Sequence, residues 1–136
     1  MRVVLDTNIL ISALLVQGGP PGLIYRAWTE GRFTLLTCAD QMTEMRETLR
    51  KPALAARIRP HDAGRLMNDL KHFSEGVDPL PHVSRSPDPE DNFLLAAAEA
   101  GGADYLVTGD KSGLLALRKH QGTGIITARD FADSLG

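Results

Sequence analysis

A short apolar run that ends at a carboxylate constrains the fold of this chain more than any other feature. Val3, Val4 and Leu5 are apolar and partly β-branched, and Asp6 follows them directly. Such a run is typical of a buried parallel strand that delivers its last residue to the carboxyl edge of the sheet, where open α/β sheets bind ligands. Asp6 is therefore a candidate site residue. The alternative is a helix cap, because a helical pattern begins at Thr7.

Strands and helices alternate along the rest of the chain. Further buried strands are predicted at 33–38, 103–107 and 124–127, and helices at 7–15, 21–29, 39–50 and 89–100. This alternation predicts an α/β fold, a three-layer α/β/α sandwich with a central parallel sheet. Two more helical stretches form an excursion at about 51–73. At 136 residues the chain is expected to be one domain over 1–136.

The composition excludes several classes of protein. With 43% hydrophobic and 24% charged residues, the chain has the composition of an ordinary soluble globular protein. It has no apolar run near the roughly 18 residues of a membrane span and no signal-peptide pattern, so we expect a cytoplasmic protein with no membrane association. The single cysteine, Cys38, and the four histidines show no metal-ligand spacing. Any metal is therefore expected to be held by oxygen.

Carboxylates recur at the ends of predicted strands and near the start of a helix. Asp110 follows the third predicted strand as Asp6 follows the first, so the two lie close if those strands are neighbours at a topological switch point. Asp91 is in line with the apolar stripe of its helix and is expected to point inward, unless it joins Asp88 in a capping arrangement. Glu44 lies beside another apolar stripe, and its alternative is a solvated helix face.

Clustered carboxylates predict a bound cation. Like charges at short range repel one another unless a cation lies between them. Mg²⁺ and Mn²⁺ prefer oxygen ligands and keep several waters. Because such ions lower the pKa of bound water and stabilise charge on a phosphoryl group, the chemistry indicated is phosphodiester hydrolysis.

Four polar motifs occur in order between about residues 2 and 131. They are Asp6-Thr7-Asn8 with Ser12, Glu44 within residues 42–49, Asp88-Pro89-Glu90-Asp91-Asn92, and Thr108-Gly109-Asp110. Together they resemble the motifs of the PIN-domain ribonucleases, and within that family the toxin-like branch of bacterial toxin-antitoxin systems. The resemblance implies a PIN-like, Rossmann-like fold and a divalent-metal-dependent endoribonuclease. It also implies that the metal-binding catalytic acids are Asp6, Glu44, Asp91 and Asp110, and that the supporting groups that orient ligands or water are Asn8, Ser12 and Thr108.

The same resemblance implies partners: RNA as substrate, a cognate antitoxin that covers or distorts the site, and a homo-oligomer such as a dimer. One departure from the family pattern is that Lys111-Ser112-Gly113 follow the Thr-Gly-Asp turn, where related sequences often carry a further acid. Two alternatives stay open. One is a catalytically inactive PIN-like module that binds RNA or protein. The other is a haloacid-dehalogenase-type phosphatase, which needs a proton-transferring Asp where this chain has Asn8.

Positive charge is concentrated in one segment of a chain whose net charge is −2. Residues 46–72 hold seven Lys and Arg against three Asp and Glu, whereas the rest of the chain holds eight against fourteen. Because this segment follows the helix that carries Glu44, we expect its charge to lie beside the site and to bind RNA phosphates. The predicted contacts are Arg46, Arg50, Arg57 and Arg59. The alternatives are a solvated basic face or a surface that binds an acidic antitoxin.

Overall fold

The computed structural model of the protein describes residues 1–109 and 113–136. Within them, six strands form one sheet: β1 Arg2–Leu5, β2 Thr34–Thr37, β3 Ser74–Gly76, β4 Tyr105–Val107, β5 Lys119–His120 and β6 Thr123–Ile126. Seven α-helices accompany them: α1 Thr7–Leu15, α2 Pro20–Thr29, α3 Ala39–Leu49, α4 Pro52–Ala55, α5 Pro60–Phe73, α6 Asn92–Gly101 and α7 Ala128–Leu135. Two 3-10 turns, Pro89–Asp91 and Leu114–Leu117, precede α6 and β5. None of the described helices is by itself long and apolar enough to cross a membrane; α1 and α2 meet that test only as a pair bent by 102°.

The strand order places a crevice beside the end of β1. The order is β3-β2-β1-β4-β6-β5, and every neighbouring pair is parallel except β5 with β6. From β1 the chain proceeds outward to β3 on one side and then returns to β4 on the other. The direction of winding therefore reverses between β1 and β4, and a ligand crevice is expected at the carboxyl ends of these two strands. The predicted α/β fold with a mostly parallel sheet is confirmed.

Two cores bury the two faces of the sheet. Successive side chains of β1 alternate between faces, so Val3 and Leu5 belong to one core and Val4 to the other. The first core contains side chains of α1, α2, α3, α5 and α7, including the fully buried Phe131. The second contains the apolar face of α6. Helices thus cover both faces, which gives the three layers.

Both edge strands were absent from the sequence-based prediction. β3 pairs with β2 from Leu35↔Ser74 to Thr37↔Gly76, yet it has three residues and no apolar run. β5 has two residues, one of them exposed. An edge strand with little buried side-chain area leaves a weak sequence pattern, because pairing with a neighbour holds it rather than burial. The predicted helical excursion is present as α4 and α5, although α4 ends at Ala55.

Two glycines at the end or in the middle of helices differ in their surroundings. A Cβ on Gly101 would lie 2.6 Å from Cδ1 of Leu36 and 2.9 Å from Cγ1 of Val77, whereas Gly64 in α5 has open space. Because Leu36 is fully buried and cannot move aside freely, we expect Gly101→Ala to lower the free energy of unfolding by about 1–3 kcal/mol. Gly64→Ala should raise it by about 0.5–1 kcal/mol. Urea denaturation of both variants checks this; equal stability of the two would contradict close packing of α6 on β2.

Candidate functional site

Three of the four predicted acids line one cleft at the carboxyl edge of the sheet. The cleft has a volume of about 760 Å³, and Asp6, Glu44 and Asp91 contribute to its wall. They come from the end of β1, from the middle of α3 and from the turn before α6. Asp110, the fourth predicted acid, lies outside the described residues. The structure therefore brings together acids that are up to 85 positions apart along the sequence.

Three hydrogen bonds hold Asp6 in one orientation. Its backbone N–H donates to the Val107 carbonyl at 2.9 Å, which continues the β1–β4 pairing past the end of the strand. Its carboxylate accepts from the backbone N–H of Asn8 at 3.1 Å and from the hydroxyl of Thr108 at 2.9 Å. Asp6 thus caps α1 and also faces the cleft, with 7% of its surface exposed. Capping and a site role do not exclude each other here.

The three predicted supporting residues differ in how near they lie to Asp6 and the cleft. Thr108 is fully buried and bonds to Asp6, and Asn8 is exposed and lines the cleft. Ser12 is half-buried one turn further along α1 and does not line the described cleft. A helical turn rises about 5.4 Å, so Ser12 lies further from the sheet edge than Asn8, and its supporting role stays a prediction.

A buried glutamine docks α3 onto the end of β1. The side-chain amide of Gln41 donates to the Leu5 carbonyl at 2.6 Å, and its side-chain oxygen accepts from the Thr37 hydroxyl at 2.7 Å. Leu5 directly precedes Asp6, and Glu44 follows Gln41 by nearly one turn. Gln41 therefore places Glu44 opposite Asp6. Sequence reasoning assigned Gln41 no role, although its spacing from Glu44 puts both on one side of the helix.

Both burial and the neighbouring acids change the pKa of Glu44. Partial burial raises the pKa of its carboxyl group, and the negative charges of Asp6, Asp91 and Glu90 raise this pKa further. The Thr7 hydroxyl lies near the Glu44 carboxylate and partly offsets the rise of its pKa. Its geometry, however, is not that of a hydrogen bond. That hydroxyl is buried and has no hydrogen-bond partner among residues 1–109 and 113–136. A buried donor beside a carboxylate is a place where a bound water or hydrated ion would satisfy both groups.

Asp91 reaches the cleft from a 3-10 turn. The Asp88 carboxylate caps this turn by accepting from the Glu90 N–H at 3.1 Å. Asp91 occupies the N-cap position of α6, which begins at Asn92 rather than at Pro89 as predicted. Asp91 is half-buried, and it lines the cleft instead of pointing into the apolar core.

A model of the PIN domain matches residues 2–112. The chain belongs to the PIN-domain family. Among solved structures, the crystal structure of FitAcB from Neisseria gonorrhoeae is similar, with a TM-score of 0.54, 13% sequence identity, and coverage of 93% of this chain and 98% of that chain. At this identity the likeness concerns the fold. No curated protein matches the sequence.

The donor set of this PIN domain suits a hydrated divalent cation. All the acids named above offer oxygen, the ligand that Mg²⁺ and Mn²⁺ prefer. Within the described part of the chain, no three Asp, Glu, His or Cys side chains are close enough to hold one ion together. Mg²⁺ usually keeps several waters and needs only one or two carboxylates. Asp6, Glu44 and Asp91, with the Thr7 hydroxyl, fit an ion held partly through water.

The predicted basic contacts do not line the acidic cleft of the PIN domain. Arg46 is two positions from Glu44, which turns it about 200° around α3, and Arg50 is on a similar side. Both are exposed, as is Arg57 after α4, and Arg59 forms an ion pair with Asp62 at 2.9 Å. These four arginines therefore lie outside the described wall of the cleft, and their role as RNA contacts stays a prediction. The described wall of the cleft carries one cation, Lys51.

Glu44→Gln is expected to raise the free energy of unfolding of the PIN domain at pH 7. The folded pKa of Glu44 lies above the ordinary value of 4.5, so its ionised form is disfavoured by folding. The gain should therefore be largest at neutral pH and vanish as the pH falls through the folded pKa and below 4.5. Denaturant titrations at several pH values measure it, with the exposed Glu30→Gln as control. A Glu44→Gln variant less stable than the wild type at pH 7 would contradict the proposed repulsion.

Proposed function

We propose that this PIN domain is a divalent-metal-dependent endoribonuclease that hydrolyses RNA phosphodiester bonds and serves as the toxin of a toxin-antitoxin system. The supporting observation is the shared cleft of Asp6, Glu44 and Asp91, in which burial first and then the neighbouring acids raise the pKa of Glu44. Carboxylates that lie close together repel one another and favour a bound cation. Membership of the PIN-domain family supports nuclease chemistry at this cleft.

Each side chain has a proposed part in the reaction. A bound divalent ion would lower the pKa of its water and offset charge on the phosphoryl group. Asp6 offers an oriented oxygen, because the Asn8 N–H and the Thr108 hydroxyl fix its carboxylate. Glu44 is the proposed general base: its raised pKa makes a carboxylate oxygen a better acceptor for a proton of the attacking water. Asp91 and Asp110 are proposed as further metal-binding acids.

Cleavage of a defined RNA tests the proposal. The purified protein is incubated with a 5′-labelled single-stranded RNA in Mn²⁺ or Mg²⁺, and the fragment ends are mapped. We expect cleavage at phosphodiester bonds within the RNA chain, and only in reactions that contain the folded protein. Sequencing of RNA 5′ ends after brief induction in cells then identifies the target. Intact RNA with both metals over a range of protein concentrations would overturn the nuclease proposal.

The toxin proposal includes protein partners. The described wall of the cleft carries many acids and one lysine, which suits an antitoxin that brings positive charge to cover it. We also propose a cytoplasmic homodimer. Relief of growth arrest by a co-expressed neighbouring gene product tests the first proposal, and light scattering of the purified protein tests the second. Absence of growth arrest at high expression of an RNA-cleaving protein would contradict the toxin role.

Lys51 is expected to contribute to RNA binding at the mouth of the cleft. Each neutralised phosphate steepens the slope of log affinity against log salt concentration by roughly 0.7 for a single strand, so Lys51→Ala should flatten that slope by about 0.7. A double variant, Arg46→Ala with Arg50→Ala, removes charge from a different side of α3. Fluorescence anisotropy at several salt concentrations compares the two. Flattening by the double variant alone would show that RNA follows the outer face of α3 and not the cleft mouth.

A further inference from the structure

We infer that Arg85 and His120 are positioning residues that anchor the acidic turn, defined here as residues 88–91, which carries Asp91 into the cleft. The inference extends the proposed function, because it concerns how one of the proposed metal-binding acids is held. Neither residue lines the cleft. Both belong to a hydrogen-bonded network that starts beside the acidic turn and ends on β5 and α6.

The first step of the network closes the loop that contains the acidic turn. The side-chain oxygen of Asn92 accepts from the backbone N–H of Arg85 at 2.9 Å and from that of Ser86 at 2.7 Å. Asn92 directly follows Asp91. Residues 85 and 86 are thus tied to the far end of the turn. The backbone of Arg85 and Ser86 is therefore held against the residue that directly follows Asp91.

The second step fastens this loop to the sheet. The Arg85 guanidinium donates from Nη1 to the Lys119 carbonyl at 2.9 Å, and the same nitrogen lies 3.0 Å from Nδ1 of His120. His120 is buried in β5, and its Nε2 lies 3.0 Å from Oε1 of Glu99 on α6. Residues 77–87 contain neither helix nor strand. Val77, Leu80 and Val83 pack against the second core. The Arg85 anchor adds polar contacts at the end of this segment that lies next to the acidic turn.

The partners of His120 determine where its proton lies. A guanidinium nitrogen can only donate, so Nδ1 of His120 must accept the bond from Arg85. A neutral imidazole then carries its proton on Nε2, which donates to the Glu99 carboxylate. The network therefore runs in one direction, from Arg85 through His120 to Glu99. The anchor therefore needs a hydrogen-bond acceptor at the position of His120 Nδ1, to accept from the Arg85 guanidinium.

Two substitutions of His120 separate the anchor from simple packing. The side-chain oxygen of Asn lies near the place of Nδ1, so His120→Asn can still accept from Arg85. The side-chain amide of Gln lies near the place of Nε2, so His120→Gln can still donate to Glu99 but cannot accept from Arg85. Arg85→Ala removes the anchor from the other side. Arg129→Ala, on the exposed face of α7, is the matched loss of charge.

Hydrogen exchange and Mn²⁺ titration are measured on all four variants and the wild type. We expect the backbone amides of Arg85 and Ser86 to exchange about tenfold faster in Arg85→Ala and His120→Gln, and the Kd for Mn²⁺ to rise about tenfold in both. His120→Asn and Arg129→Ala should stay within about twofold of the wild type. In an RNA cleavage assay, kcat should fall more than KM changes in the two anchor-less variants.

Two results would overturn the anchor. One is unchanged exchange at Arg85 and Ser86 in both anchor-less variants. The other is a His120→Asn variant as impaired as His120→Gln, which would show that packing or the Glu99 bond matters instead. Failure of the proposed function looks different: the wild type would bind no Mn²⁺ and cleave no RNA, while the exchange pattern of the variants would still support the anchor.

Discussion

Asp6→Asn is expected to reduce RNA cleavage on the order of 10³-fold while the protein stays folded. The substitution removes the negative charge that would bind the cation at the end of β1. The amide keeps one oxygen for the Asn8 N–H, and its NH₂ can donate to the Thr108 hydroxyl, so the geometry around the cap is retained. We expect the free energy of unfolding to change by about 1 kcal/mol or less. Single-turnover cleavage and urea denaturation measure the two effects.

Asp104→Asn is the matched control for this prediction. Asp104 precedes β4 and accepts from the backbone N–H of Arg2 at 2.8 Å, at the amino edge of the sheet. At the rise of a strand, this places it about 13 Å from Thr108 and from the cleft. Its cleavage rate should stay within about twofold of the wild type. Equal loss in the Asp104 and Asp6 variants would mean that cleavage does not occur at the carboxyl edge.

Removal of divalent metal is expected to abolish cleavage completely, and Mn²⁺ or Mg²⁺ should restore it. A cation that binds only the folded protein also stabilises it, by about 2.7 kcal/mol at a concentration one hundred times its Kd. Mn²⁺ should therefore raise the Tm of the wild type and have much less effect on Asp6→Asn. Thermal melts in EDTA and in Mn²⁺, made beside the cleavage assay, test both statements. Cleavage at full rate in EDTA would rule out the mechanism.

The strand-end acid could be predicted from sequence because its signal is local. A buried apolar run followed by Asp identifies Asp6 and the edge of the sheet that it faces. Glu44 was harder to predict, since a glutamate beside an apolar stripe is usually solvated. The deciding contact comes from Gln41, whose amide bonds to the Leu5 carbonyl of another element. No spacing along α3 alone reveals that contact.

Other features of the site could not be predicted from the sequence for the same reason. The segment 46–72 was treated as one body of positive charge, whereas each helical residue turns by about 100° and places its neighbour on another side. Arg46 and Arg50 therefore lie on another side of α3 from the described wall of the cleft, whereas Lys51 lies in that wall. Likewise, His120 has no ligand spacing to any other histidine, and its role depends on Arg85, 35 positions away. Such pairs become visible only after the chain has folded.

The two edge strands limit how this domain can associate with others. β3 has three residues and includes Glu75, whose carboxylate pairs with Arg2, and β5 has two residues with Arg118 and Gln121 at positive φ on either side. Short, charged or sharply bent edges are poor templates for an added strand, and such edges protect proteins from aggregation through open sheets. A continuous sheet across two copies is therefore not expected. Oligomers and partner complexes should form through the helical faces, and the protein should resist fibre formation even at high expression.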